Sequence, residues 1–202
     1  MSDEDVRDEL MVFLQAGHDT TATTLTAALW HLGRDLALQE RTAAEVNEIG
    51  DRPLTTGDVS SLPFLAQVLY EAMRLHPPAP MISRTAITDV VVDGYRVREG
   101  SAIGIAAWTM HRDPSLWDDP LAFDPERFAP ERSADRDRWQ YLPFGAGPRS
   151  CIGEHFAMTE AILGLGTLLQ HCRVSSVEAT FPTAVPFTLT AEGEIPVRIH
   201  RT

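Results

Sequence analysis

Lysine is missing altogether: all 17 basic residues are arginine. That absence removes several chemistries at once. A phosphate loop ending in Gly-Lys-Ser/Thr, a lysine Schiff base to pyridoxal phosphate and a kinase-type lysine on a phosphate are all excluded. Positive charge is short as well, since 29 acidic residues leave a net charge of -12. Nucleic-acid binding needs a clustered basic face, so no nucleic-acid partner is expected. Cysteine is limited to Cys151 and Cys172, too few for a disulfide framework, which favours a reducing compartment. No apolar run approaches the roughly 20 residues that span a bilayer. The start, Met1-Ser2-Asp3-Glu4-Asp5, is acidic where a secretory signal would be basic. These absences predict a cytoplasmic protein with no membrane span.

What is present is ordinary for a globular chain. The 202 residues are 44% hydrophobic and 23% charged, enough for one large domain or two small ones with a buried core. Leu10, Phe13, Leu14, Gly17, Thr21, Thr24, Leu25, Ala28 and Leu32 recur at spacings of three and four, which predicts a helix from about Ser2 to Gly33 with one apolar stripe. Ser2 is its expected N-cap, with acids in the first turn. A second helix is expected from Asp35 to Gly50 and a third from Pro63 to Leu75, which His76-Pro77-Pro78 must end. Val90-Val91-Val92, Asp93-Gly94, Tyr95-Arg96-Val97 reads as a β-hairpin, and Ala102 to Ala107 as a further strand. Arg112 to Pro148 is expected to be mostly irregular and packed around something functional. Helical pattern returns from Gly153 to His171, and short strands are expected from Val174 to Ile199. The fold class that follows is mainly α with small β-sheets.

Three motifs carry chemistry. In Phe144-Gly145-Ala146-Gly147-Pro148-Arg149-Ser150-Cys151-Ile152-Gly153, a cysteine follows a glycine-rich turn just before a helix. The free N–H groups of that helix end and Arg149 place positive potential on the sulfur, the setting of thiolate ligands and nucleophiles. The glycines let backbone approach something flat or bulky. By themselves these residues fit a reactive thiol, a metal ligand or a buried structural cysteine, the last being the commoner role of a lone cysteine. A zinc site of Cys151, His155, His171 and Cys172 is disfavoured, because the intervening helix would hold the two pairs about 24 Å apart.

The second motif is Ala16-Gly17-His18-Asp19-Thr20-Thr21, inside the first helix. Glycine costs about 1 kcal/mol there relative to alanine, and aspartate and threonine are also poor formers. A local opening of the helix is therefore expected, where an acid beside an alcohol could relay protons. Exposed Asp19 and threonines bonded back to the helix are the plainer reading. The third motif pairs Glu71 with Arg74 at i,i+3. Set among Val68, Leu69, Ala72 and Met73, the pair is expected to be buried, and its arginine to need a second partner. His18, His76, His111 and Cys172 read as structural or surface residues.

In order and separation these motifs resemble the heme-thiolate cytochrome P-450 family. Ala16 to Thr21 is similar to the oxygen-groove motif of that family's long central helix, and Glu71-Ala72-Met73-Arg74 to its Glu-x-x-Arg helix. Phe123-Asp124-Pro125-Glu126-Arg127-Phe128 resembles the segment that completes a Glu-Arg-Arg network. Phe144 to Gly153 matches the heme loop Phe-Gly-x-Gly-x-Arg-x-Cys-x-Gly at each fixed position. The resemblance implies the C-terminal portion of the P-450 fold: residues 1–202 as a single partial heme domain, with the N-terminal half absent.

What the resemblance implies about the site is specific. Cys151 would be the axial metal ligand of heme b (iron protoporphyrin IX), with O2 as co-substrate. Arg84 and Arg149 would pair with heme propionates. Phe144, Gly145, Ile152, Gly153 and Ala157 would complete the cofactor cradle on the cysteine side, and Ala16 and Gly17 on the opposite side. Asp19 and Thr20 would be catalytic, delivering protons during oxygen activation. Glu71, Arg74 and Arg127 would form a structural network. Ala79, Pro80, Met81 and Ile82, with the segment Thr188 to Glu192, would line a substrate pocket.

The implied activity is a monooxygenase inserting one oxygen atom into a lipophilic small molecule. Electrons would come from an external donor, a ferredoxin/reductase or similar system, because no flavin or iron–sulfur motif is present. The alternative is a non-catalytic remnant, or one half of a split enzyme with a separate N-terminal half, that binds heme weakly or not at all.

Overall fold

The computed structural model describes all 202 residues. Four helices carry the core: α1 (Asp3–Arg34), α2 (Leu36–Asn47), α3 (Pro63–Leu75) and a late helix, Glu154–His171. Ala27, Ala28 and Leu32 of α1 meet Ala43 and Val46 of α2, Leu65, Val68, Leu69 and Ala72 of α3, and Ile162 and Leu165 of the late helix. Small residues on α1 and α2 leave room for the larger ones of α3.

Local chemistry sets the helix ends. Ser2 and Asp5 form a reciprocal capping box at the start of α1, which satisfies two otherwise orphaned N–H groups. The Asp35 side chain accepts from Leu38 N at 2.9 Å and so begins α2 immediately after α1 ends. Pro63 opens α3 at its first turn, where its missing N–H costs nothing.

Between α3 and the late helix the chain makes strand pairs and short turns. β1 (Ile82–Thr85) and β4 (Ala102–Ile105) pair antiparallel, and β2 (Val90–Val92) and β3 (Tyr95–Val97) form the expected hairpin. Asp93 and Gly94 both have positive φ, 47° and 80°, as a two-residue turn of the I′ type requires. The α4 turn (Ala107–Met110) and the α5 turn (Pro130–Ser133) flank a 3-10 segment, Pro125–Phe128. The late helix is α6. After it, β5 (Cys172–Ser176) pairs with β8 (Val197–Arg201), and β6 (Thr183–Ala184) with β7 (Thr190–Ala191). No helix is long and apolar enough to cross a membrane.

Three expectations need correction. The strand from Ala102 stops at Ile105, because Ala107 begins α4 and Trp108 N donates to Pro80 O at 3.0 Å. The first helix shows no opening at Gly17 to Thr21 and runs unbroken from Asp3 to Arg34. Three of its threonines bond back within it, since Thr20, Thr24 and Thr26 hydroxyls donate to the carbonyls of Ala16, Thr20 and Ala22 at 2.7–3.0 Å. The apolar stripe of α1 is also buried only in its second half. Thr21, Thr24, Ala28 and Leu32 lie in the core, whereas Phe13 and Leu14 are 57% and 65% exposed, with Leu10, Met11 and Val12 similar.

Candidate functional site

The buried charge network comes first, since it fixes the loops. Glu71 and Arg74 project from α3 and are fully buried. Arg74 Nε donates to Glu71 Oε2 at 2.7 Å and Nη2 to Oε1 at 2.8 Å. The remaining donors of Arg74 reach the carbonyls of His111 and Pro120 at 2.7 Å and of Ala122 at 3.0 Å. Asp124 N donates to Glu71 Oε1 at 2.9 Å, and Arg127 Nε lies 3.4 Å from the same oxygen, an ion-pair distance. Arg127 also donates to the carbonyls of Asp118 and Asp119. Burial raises the Glu71 carboxyl above its usual range, opposed by Arg74, the Asp124 N–H and Arg127. Glu71, Arg74 and Arg127 are thus brought together, Arg127 in the place that the family resemblance implied. The second partner that a buried arginine needs is the set of loop carbonyls.

The cysteine loop follows. Gly145 and Gly147 have φ of 71° and 75°, a region that only glycine occupies without strain. These two residues reverse the chain so that Cys151 N donates to Phe144 O at 2.9 Å, while Gly145 N bonds to Leu142 O at 3.2 Å. Ser150 N closes a 3-10 turn over Gly147–Arg149. The Cys151 side chain is exposed. It lies two residues before Gly153, the N-cap of α6, and a Cβ on Gly153 would lie 3.7 Å from its sulfur. Ile152 and Phe156 beside it are 87% and 73% exposed. Phe144 packs against the helical core, and Ala157 is half-buried in the first turns of α6.

β1 delivers the second arginine. Arg84 on β1 and Arg149 in the cysteine loop line one shallow depression with Ser83, Thr85 and Ala102. Ile82 holds the strand against the loop, since a Cβ on Gly145 would sit 3.8 Å from Ile82 Cδ1. Of the segment expected to line a pocket, Met81 is exposed beside Gly104, Pro80 accepts from Trp108 N and Ala79 is exposed. The other segment is tied to this one: Leu189 N donates to Pro78 O at 2.8 Å, and Leu189 O accepts from Thr23 of α1 at 3.0 Å.

On α1, Gly17 faces open space, where an added Cβ would meet nothing within 4 Å. Ala16 O accepts the Thr20 hydroxyl at 2.8 Å, and Asp19 Oδ1 lies 3.0 Å from His18 Nδ1. Asp19 and Thr20 therefore sit on consecutive positions of an uncovered helix surface, with Thr20 half-buried.

His111 reads from sequence as no more than a structural or surface residue, and nothing in its spacing marks it. It is fully buried and bonded at both ends, its carbonyl to Arg74 and its Nε2 to the Leu142 N–H at 2.9 Å. Burial above all, with the Arg74 and Arg112 charges, lowers it to about 4. The zinc reading finds no support, as no group of three or more potential metal-binding side chains is assembled.

The chain is similar to known proteins along its length. The family model described as Cytochrome P450 matches residues 1–192. Cytochrome P450 4F12 of Homo sapiens is 39% identical over 99% of this chain and 39% of that protein. Leukotriene-B4 omega-hydroxylase 3 of Mus musculus is 38% identical over the same shares. The crystal structure of the cytochrome P450DA heme domain superposes with a TM-score of 0.93 at 33% identity, covering 100% of this chain and 46% of that one. The chain therefore spans under half the length of the proteins it resembles. With the motifs in place, the family model matched and the fold superposed, the chain belongs to the cytochrome P450 family.

Proposed function

We propose that this chain is the heme-holding part of a heme-thiolate monooxygenase, with Cys151 as iron ligand and Arg84 and Arg149 as propionate partners. One observation carries the reading. Two arginines from separate elements, β1 and the cysteine loop, line one depression, and the loop that supplies Arg149 leaves Cys151 exposed. A flat dianionic macrocycle fits that arrangement: guanidinium forks suit carboxylates, and the exposed Ile152 and Phe156 supply apolar surface for it to cover. The open face at Gly17 leaves room on the α1 side.

When bound, heme b supplies the activation of O2 and the transfer of one oxygen atom into a C–H bond. The chain's own residues do the rest. The Glu71–Arg74–Arg127 network holds the segment from His111 to Arg127. The Thr20 hydroxyl donates its hydrogen bond to Ala16 O, so its oxygen is left to accept from a donor on the open side. Asp19 holds or releases a proton at its exposed carboxylate. The substrate in this reading is a lipophilic small molecule, supported by the similarity to a leukotriene-B4 omega-hydroxylase. Electrons come from an external protein donor.

Exposure of Phe13, Leu14 and their neighbours on α1 favours a second reading, in which this chain alone binds heme weakly or not at all. Titration of the purified chain with hemin separates the two. Under the first reading, binding is saturable and gives a thiolate-type absorption band that Cys151→Ala loses. Equal, weak binding by both proteins would favour the second.

A further inference from the structure

We infer that His111 is a positioning residue that transmits the register of the buried Glu71–Arg74 pair to the loop presenting Cys151. The inference rests on the reading of Cys151 as the heme ligand, and its structural half can be tested without heme.

The connection is a series of hydrogen bonds that begins among buried groups and ends at the exposed Cys151. Arg74, fixed by two bonds to Glu71, donates from Nη1 to His111 O at 2.7 Å. The ring of the same residue accepts the Leu142 N–H at Nε2, at 2.9 Å. Leu142 O then accepts from Gly145 N at 3.2 Å, and Phe144 O from Cys151 N at 2.9 Å. His111 thus touches both the carboxylate–guanidinium pair and the segment entering the cysteine loop. It belongs to neither motif.

The chemistry of the ring suits that task. Accepting from Leu142 requires a bare Nε2, so the neutral ring carries its proton on Nδ1, which is buried without a partner. A buried donor without an acceptor is unfavourable and is kept only where the rest of the ring is held. Here the holding groups are Tyr141, whose ring centre lies 5.2 Å from that of His111, and the Arg74 contact at its own carbonyl. Tyr141 is anchored in turn, its hydroxyl donating to Tyr70 O on α3 at 2.8 Å. The loop is thus tied to α3 by a histidine acceptor and a tyrosine donor side by side. Of the two side chains, only the histidine engages the backbone of the segment that leads into Gly145 and Gly147.

The test compares His111→Gln, whose side-chain oxygen can replace Nε2 as acceptor, with His111→Leu, which fills similar volume and accepts nothing. Amide hydrogen exchange of the full 202-residue chain without heme is the first measurement. His111→Leu is expected to speed exchange at Leu142, Gly145 and Cys151 by roughly tenfold, the cost of one lost buried bond. Amides within α3, such as those of Leu69 and Ala72, should keep wild-type protection. His111→Gln should restore most of the loop protection. The second measurement is the thiolate-type band after hemin loading, expected to fall in His111→Leu and recover in His111→Gln. Unchanged loop exchange in His111→Leu, or equal loosening of loop and α3, would overturn the inference. Absence of the thiolate band in the wild-type chain would count against the heme reading, and the exchange data would still decide the role of His111.

Discussion

Glu71 and Arg74 meet through two parallel bonds of 2.7 and 2.8 Å with neither side chain exposed to water. An ion pair so buried adds little net stability by itself, because desolvating both charges offsets their attraction. Its value lies in what Arg74 does with its other donors, which take carbonyls from three separate points of the loop between α4 and the 3-10 segment.

Removing one partner should therefore be severe. Glu71→Gln leaves a buried guanidinium without its countercharge and is expected to cost about 3–5 kcal/mol. Urea unfolding of the chain should show a lower midpoint, by an amount equal to that loss divided by the denaturant slope. A midpoint within experimental error of wild type would mean that the pair is not buried as described.

Gly33 supplies a test of the packing between α1 and β5. Helix propensity alone makes Gly33→Ala stabilising by about 1 kcal/mol. In the structure an added Cβ would lie 2.5 Å from Ser176 Oγ and 2.8 Å from Ser176 N, and backbone cannot move aside cheaply. Gly33→Ala is expected to destabilise by about 1–3 kcal/mol, read as a lower thermal midpoint. A raised midpoint would contradict this contact.

Three histidines, His76 and His111 buried and His31 half-buried, set a pH dependence. His31 and His76 face each other through Nε2 at 3.1 Å, and His31 stacks on Phe123 with ring centres 3.9 Å apart. Burial above all holds His31 down to about 2, with His76, Arg34, Arg74 and Arg112 adding repulsion, and His76 to about 3, with Arg112 and Arg74 adding it; His111 falls to about 4. Each folded value lies below the unfolded one of 6.5, so below that pH the unfolded chain binds more protons. The stability tied to these rings is complete above pH 6.5 and is lost as pH falls toward the folded values, by up to about 2 kcal/mol per ring at pH 5. Urea midpoints measured between about pH 7 and 5 should decline, and His76→Gln should flatten the slope. An unchanged slope in His76→Gln would show that this ring is not held neutral.

Arg84 and Arg149 make separable predictions. If both meet carboxylates of one macrocycle, Arg84→Gln and Arg149→Gln should each weaken hemin binding by roughly tenfold, the worth of a charge-assisted bond. Neither change should alter the unfolding midpoint of the heme-free chain, because both residues are exposed. Hemin titrations alongside urea curves test the two halves of that statement.

Much of this architecture is legible in the residues, for identifiable reasons. The span Pro63 to Leu75 is bounded by proline on both sides, and its helix has those limits. Asp93-Gly94 favours one kind of turn, and the hairpin forms there. Other features depend on groups far apart in the chain or on what covers them. Gly17, Asp19 and Thr20 look like an opening in α1, yet the helix runs through them and the hydroxyls of Thr20, Thr24 and Thr26 bond to carbonyls four residues back. Leu10, Phe13 and Leu14 follow helical spacing, but periodicity cannot say whether anything covers them. β1 is short and polar at Ser83 and Arg84, and only its pairing with Ala102–Ile105 makes it a strand. His111 is hidden for a related reason, since both its partners lie more than thirty positions away.

Ligation of heme iron by Cys151 is the central claim, and the absorption spectrum of the hemin-loaded, reduced chain under carbon monoxide tests it most directly. A thiolate-type Soret band is expected in the wild-type protein, with its loss in Cys151→Ala. Identical spectra for the two proteins, or a wild-type band of the histidine-ligated kind, would contradict it.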